Sequence, residues 1–391
     1  MNPIVKYLKN LFPRERLLGK DTYLRGFQKA DALLTELIDT KKVPGLSITV
    51  LGEGGTLFQK GYGYADIERV NHVEPKRTVF RVASVSKPIT ATALAIMVQE
   101  GIMDLDASFY DYVPYYPKKR WDFTIRQLAT HTAGLRSYRG KEFALNQPYS
   151  IRDGLGIFKD DPLVFEPGKG YLYNSFDFVL LSLAMQEAAK TPFEDYVKRK
   201  VLDSLGMSNT FPERGPDKEK ANTIAHSLSM KEKNGNKAVE LSQNYTKTIT
   251  GFRKAVPVNN FYKLAGGGYL STSEDIARLG QAYVHGGLLD RTILPQFLTS
   301  QTVNGNATYY GMGWQVTRDK SGRPFYGHVG SSVGAYSNFF IYPREQMVFS
   351  ILINCTDPKV QGPLDKVVDC LLDSESFSRT YTSEPHPPLG K

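Results

Sequence analysis

The stretch Arg81-Val82-Ala83-Ser84-Val85-Ser86-Lys87-Pro88 decides how this chain is read. A serine three positions before a lysine, at the onset of a helix, sets both side chains on one face. Pro88 supports a helix start here, because proline is tolerated in the first turn of a helix and not deeper. A serine hydroxyl is a weak nucleophile until a neighbouring base takes its proton. A lysine beside it supplies that base when burial depresses its pKa by several units. The helix N-terminus adds N–H donors and the positive end of a dipole for a developing oxyanion. A single Ser-x-x-Lys arises easily by chance in 391 residues, so the rest of the chain has to decide.

Working outward, apolar residues continue to about Glu100, and Gly101 ends a helix predicted over 84–100. Upstream, Leu24, Phe27, Ala30, Leu33, Leu34, Leu37 and Ile38 recur at three-and-four spacing, which predicts a helix that Pro44-Gly45 breaks. Residues 46–50 and 57–63 flank Gly52-Glu53-Gly54-Gly55 and read as a hairpin. Strand-like segments return at 313–317, 336–342 and 347–353. A last helix carries Leu364, Val367, Val368, Leu371 and Leu372 on one face. From 101 to about 260 the chain mixes short helical patterns with turns, and 212–254 reads as a polar surface excursion. The expected fold is α/β: an antiparallel sheet from the N- and C-terminal parts, flanked by the terminal helices, with a mostly helical subdomain inserted. In residues, that is an arm over 1–21 and a single domain over 22–391. Within the domain, 22–80 and 256–391 form the α/β part and 81–255 the helical subdomain.

Composition narrows the classes. At 41% hydrophobic and 12% aromatic, the chain carries enough apolar material for a large core and is not disordered. No run of 18 apolar residues exists, so no membrane-spanning helix is predicted. Cys355 and Cys370 are too few for a disulfide framework or a Cys-rich zinc site, and inert thiols are expected. The six histidines lack metal-ligand spacing, so neither metal nor cofactor is expected. The formal charge is +9, but the basic residues are scattered, with clusters no longer than Lys118-Lys119-Arg120 and Lys198-Arg199-Lys200. Nucleic acid is therefore not an expected partner. Near the N-terminus, Ile4, Val5, Leu8, Leu11 and Phe12 alternate with Lys6, Lys9 and Arg14, too interrupted for a secretory signal. A packing arm is favoured over a membrane-surface helix. Localisation is expected to be cytoplasmic if the chain is whole, and periplasmic or extracellular if a signal was removed.

Further motifs accompany Ser84 and Lys87. Tyr173-Asn174-Ser175 precedes the apolar stretch 178–184, and Gly327-His328-Val329-Gly330-Ser331 comes late in the chain. Supporting segments are Thr130-His131-Thr132-Ala133-Gly134-Leu135, Ala265-Gly266-Gly267-Gly268-Tyr269-Leu270-Ser271-Thr272 and Tyr310-Gly311-Met312-Gly313-Trp314. In this order, SxxK, then YxN, then KTG or HxG, the chain resembles the serine β-lactamase and penicillin-binding-protein superfamily. The resemblance is to its class C-like branch, which also holds D-Ala-D-Ala peptidases and carboxylesterases. It runs from about Pro44 to Asn354. Tyr112-Val113-Pro114, residues 158–163, the hydroxyl at Ser175 and Tyr262-Lys263-Leu264-Ala265 resemble the mitochondrial β-lactamase-like proteases of animals, which form filaments.

The resemblance implies Ser84 as the acylated nucleophile, Lys87 as its proton partner and Tyr173 as a second candidate base. For that last role, the adjacent lysine would have to lower the tyrosine's pKa. Which of the two is the base stays open, because they would titrate as a pair. It also implies a strand at the HxG segment and an oxyanion hole from the N–H groups of Ser84 and Ser331. Ser175, His328, Val329 and Gly330 take the substrate-binding positions, and Tyr310 and Tyr336 are candidates to line an acyl pocket.

Two positions depart from the pattern. Ser175 replaces the asparagine that grips a substrate amide, and it lacks that side chain's reach and paired donor and acceptor. His328 and Val329 replace the lysine and threonine that grip a substrate carboxylate; the histidine is expected to be neutral at pH 7. Penicillin and D-Ala-D-Ala turnover should therefore be poor. Gly330-Ser331-Ser332-Val333-Gly334 also matches the GxSxG nucleophile elbow, but that motif needs a helix after the serine and a histidine downstream. Here a strand is expected to follow, and the only later histidine is His386. His131 reads as a buried, hydrogen-bonded structural residue with no adjoining acid. The expected function is hydrolysis of esters, small amides or peptides through an acyl-enzyme. The alternatives are a β-lactamase or D-Ala-D-Ala peptidase, and a filament-forming structural protein on the same fold. The oligomeric state is open.

Overall fold

A computed structural model describes residues 22–213 and 239–374. The N-terminal arm, most of the expected polar excursion and the tail with His386 lie outside the described residues. The chain divides into two compact units, one of 37–359 and one from the two ends of the chain.

In the larger unit, seven strands form one sheet: β1 (Gly45–Gly52), β2 (Gly55–Asp66), β3 (Asn71–His72), β4 (Gln315–Arg318), β5 (Pro324–Ser332), β6 (Ala335–Tyr342) and β7 (Met347–Ile353). Their spatial order is β4-β5-β6-β7-β1-β2-β3, with every neighbouring pair antiparallel. The N-terminal hairpin thus pairs with the last strand, Leu46 opposite Ile353, as the α/β reading requires. All eight residues of β1 and all seven of β7 are buried, and both are rich in β-branched or other apolar side chains.

The first helix, α1 (Thr22–Asp39), buries Ala30 and Leu34 from the expected stripe. The longest helices of the larger unit are α2 (Ser86–Gln99), α3 (Phe176–Ala189) and α4 (Ser273–His285). Residues 86–97 of α2 and 176–185 of α3 are buried on every side, the signature of core helices rather than surface ones. Against the sheet lies α4. Its Ser273 hydroxyl bonds Ser47 and Thr49 of β1 at 2.7 and 2.8 Å, and Gly280 abuts Val348 of β7. The sequence reading missed α4, although Thr272 caps it and Glu274 and Asp275 sit in its first turn.

The smaller unit brings together most of α1 and the last helix, α5 (Gln361–Leu372). Gly26 lies so near α5 that an added Cβ would stand 2.3 Å from the Cys370 carbonyl. The five apolar residues expected to face inward on α5 are buried.

Candidate active site

Four segments of the larger unit converge on Ser84. The short strand Thr78–Arg81 pairs antiparallel with Tyr269–Ser271 and delivers the chain to Val82, whose N–H donates to the Tyr269 carbonyl. Ala83 then takes φ +49°, a left-handed conformation that costs a non-glycine residue about 1–2 kcal/mol. The kink turns strand into helix within two residues. Ser84 sits in a 3₁₀ turn, Ala83–Val85, and α2 follows with Lys87 one turn on.

Lys87 is fully buried, and its ammonium position contacts three oxygens: Tyr173 Oη at 2.7 Å, the Gly266 carbonyl at 2.9 Å and Ser84 Oγ at 3.3 Å. Tyr173 Oη in turn donates to Ser84 Oγ at 2.9 Å, closing a triangle of hydroxyl, phenol and amine. Burial is the leading cause that pulls Lys87 down to about 7, helped by the charge of Lys263 and opposed by Asp177. Near neutral pH the amine is thus free to take a proton. Tyr173 moves the other way. Burial pushes its phenol above the usual value of 10, against the expected lowering by the adjacent lysine. The physical reason is the order of titration. Lys87 has already lost its charge before the tyrosine ionises, so no cation remains to stabilise a phenolate.

The edge of the sheet forms the opposite wall. Beyond Gly327, β5 has no pairing to β4. There the Val329 N–H donates to the Gln315 side chain at 3.0 Å. By the two-residue period of a strand, the Ser331 N–H projects from that same edge. Gly330 permits close approach: a Cβ there would stand 2.6 Å from the Val82 carbonyl and 3.0 Å from the Ser84 nitrogen. Ser84 and Ser331 both line a pocket of about 190 Å³.

The profile of the family described as Beta-lactamase matches residues 30–370. The chain belongs to the beta-lactamase family. It is 26% identical over 419 aligned positions to the human serine beta-lactamase-like protein LACTB, mitochondrial, covering 83% of this chain and 73% of that protein. Among solved structures, the octameric penicillin-binding protein homologue from Pyrococcus abyssi superposes with a TM-score of 0.74 at 24% identity, over 88% of this chain and 77% of that one. EstCE1, described as a hydrolase with promiscuous acyltransferase activity, does so with 0.73 at 17% identity, over 89% and 98%.

On this beta-lactamase-family fold, the residues expected to contact substrate separate into two groups. Ser175 and Ser331 line the pocket beside Ser84. His328 and Tyr310 do not: both are buried, and Tyr310 Oη bonds His328 Nε2 at 3.1 Å. The His328 Nδ1 lies 2.7 Å from the Val329 carbonyl, and burial drives the imidazole down to about 3, so the ring is neutral. Neither Val329 nor Tyr336 reaches that pocket wall. Ser331-Ser332-Val333-Gly334 is no nucleophile elbow. Ser332 ends β5, pairs with Ala335 and leads through Gly334, at φ +74°, directly into β6.

His131 is buried as expected, but an acid does adjoin it. Its Nδ1 lies 2.8 Å from Asp177 Oδ2, and its ring packs 4.6 Å from that of Tyr173. Burial raises the Asp177 carboxyl and lowers the His131 imidazolium. Asn174 also donates to Asp177, so the middle residue of the YxN motif anchors this pair. Asp177 stands four residues after Tyr173, a spacing that offers no signal until both lie behind the same ring.

Proposed function

We propose that this protein is a serine hydrolase that forms an acyl-enzyme on Ser84 and acts on esters or small amides and peptides, with esters favoured. The observation that carries the reading is the closed triangle of Ser84, Tyr173 and a buried Lys87 whose pKa falls to about 7. Ser84 Oγ attacks the substrate carbonyl carbon, and its proton passes to Tyr173 Oη while the phenol proton moves to the neutral Lys87 amine. Tyr173 remains a phenol before and after the transfer, which suits its raised pKa, and Lys87 is the base. The carbonyl oxygen, now negative, faces the N–H groups of Ser84 and Ser331. As the tetrahedral intermediate collapses, the leaving alkoxide takes a proton back along the same path. Water then attacks the acyl-serine carbonyl with the same groups acting in reverse.

Esters are favoured for a chemical reason. An alkoxide or phenoxide leaves with less help from a proton donor than an amine requires. β-Lactams and cell-wall peptides also need their carboxylate held, and a neutral, buried His328 beside Val329 offers no grip there. Losing a charge-assisted hydrogen bond costs about 1.5–3 kcal/mol, or roughly one to two decades in rate.

The test is the intact mass after a fluorophosphonate probe, run with p-nitrophenyl acetate and nitrocefin turnover. One adduct is expected on the wild type and none on Ser84→Ala, with Ser332→Ala labelled as the wild type is. A labelled Ser84→Ala protein would overturn the assignment of the nucleophile. A higher kcat/KM for nitrocefin than for p-nitrophenyl acetate would replace this reading by a β-lactamase.

A further inference from the structure

We infer that Lys263 is the anion receptor of the acyl pocket, so that the preferred acyl group carries a carboxylate at its far end. The inference rests on the hydrolase reading above, whose substrate class it narrows. The pocket that opens on Ser84 is walled by Tyr138, Phe143, Ser175, Lys263, Ser331 and Val333. Neither Tyr173 nor His328 belongs to that wall. Tyr173 returns the proton to the leaving group, so the leaving group lies on its side of Ser84 and the pocket takes the acyl chain.

Lys263 is 6% exposed, and among the described residues its ammonium donates to one acceptor, the Phe143 carbonyl at 2.9 Å. Among the described residues no carboxylate stands within 4 Å of it. The acid whose charge acts on it is already engaged. Glu213 forms an ion pair with Arg81 at 2.6 Å and accepts the Asn260 N–H with its other oxygen at 2.8 Å. Glu142, the residue before Phe143, pairs with Arg136 at 2.7 Å. Arg81 and Glu213 cancel, Arg136 and Arg139 cancel Glu142 and Asp161, and among the described residues Lys263 is left without a carboxylate of its own. Buried charges are normally paired, and an unpaired one is costly. Burial accordingly pulls Lys263 down to about 8, the charge of Glu213 opposing the pull and that of Arg81 adding to it, and at neutral pH the lysine remains mostly charged. A carboxylate entering the pocket would supply the missing partner. The aromatic rings of Tyr138, 5.0 Å from the ammonium, and Phe143 would flank the methylene chain between that carboxylate and the reacting carbonyl.

The cation thus stands on a different wall from the strand that carries His328 and Val329. A carboxylate beside the leaving group loses its grip, while one on the acyl chain gains one.

The experiment compares p-nitrophenyl hydrogen glutarate with p-nitrophenyl valerate, equal in chain length, with spontaneous hydrolysis subtracted. The wild type is expected to favour the glutarate in kcat/KM by about 10- to 100-fold, the range of one charge-assisted hydrogen bond. Lys263→Met should erase that preference, read as the ratio of the two esters so that any shift of Lys87 on losing the neighbouring charge cancels, and Lys263→Arg should keep most of it. Equal loss on both esters in Lys263→Met would assign the lysine to holding the Phe143 turn and overturn the inference. So would a wild type that favours valerate. Calorimetric binding of monomethyl glutarate decides the anion site without turnover: binding to the wild type and none to Lys263→Met is expected, and equal binding refutes it. If that binding is seen but neither ester is turned over, the hydrolase reading fails and the anion site stands.

Discussion

Replacing Lys87 by methionine is expected to stabilise the fold at neutral pH, by an amount that shrinks as the pH rises. In the folded protein Lys87 titrates at about 7, against an ordinary value of 10.5 in an unfolded chain. Between those two values the unfolded chain holds a proton that the folded one does not, so wild-type stability rises with pH across that window. Below pH 7 both states are protonated and the full cost of burying the ammonium is present. At about 1.4 kcal/mol per pKa unit, the ionisation cost is about 4 kcal/mol at pH 7 and about 2 kcal/mol at pH 9, and it vanishes above 10.5. Methionine keeps the aliphatic stem but gives up the contacts to Ser84, Tyr173 and Gly266, each about 1 kcal/mol. The net gain is therefore about 1 kcal/mol at pH 7, turning to a loss of about the same size at pH 9. Because the lost contacts do not depend on pH, the cleaner quantity is the change in the difference, about 2 kcal/mol between those pH values. Urea unfolding of both proteins at pH 7, 8 and 9 measures it. A difference that stays constant across the range would mean that Lys87 keeps its proton in the folded protein, and the assignment of the base would fall with it.

Ester kcat/KM of the wild type should fall with unit slope below about pH 7, as Lys87 takes up its proton; a profile flat down to pH 5 would contradict this. Tyr173→Phe breaks the relay at 2.9 and 2.7 Å and is expected to lower the acylation rate by about 10²-fold, measured by stopped-flow with p-nitrophenyl acetate. If that variant is unimpaired, the proton moves directly from Ser84 to Lys87. Gly330→Ala would place a methyl group against backbone at Val82 and Ser84, pushing β5 off the helix start. It should cost about 1–3 kcal/mol of stability and lower kcat more than it raises KM, and a fully active, stable variant would show that the edge of β5 is not part of the site.

Periodicity and punctuation carried much of the fold. The hairpin around Gly52 to Gly55, the strand over 347–353, the end of α2 before Gly101 and the buried face of α5 are local patterns of side-chain spacing, and local sequence determines them. Ser84 and Lys87 were legible for the same reason, since one helical turn brings them together whatever the rest of the chain does. Tyr173 and the HxG strand emerged only through the order of motifs, because nothing in their own spacing points at Ser84. The helix α4 carries its start signals in the sequence, the Thr272 cap with Glu274 and Asp275 in the first turn.

What tertiary structure alone decided is electrostatic. Whether a lysine is a base or a cation depends on how much water it keeps, and composition does not report that. Lys87 and Lys263 are the same residue type, 176 positions apart in the sequence, and both are buried. One faces a serine and a phenol and lies near neutrality; the other lines a pocket and is pulled less far, to about 8, with the charge of Glu213 opposing the pull of burial. His131 gained an acid partner, and His328 lost its access to substrate, only when strands and helices distant in sequence closed around them. Short-range spacing sets which side chains share a face, but desolvation and the cancelling of charges are sums over the whole fold.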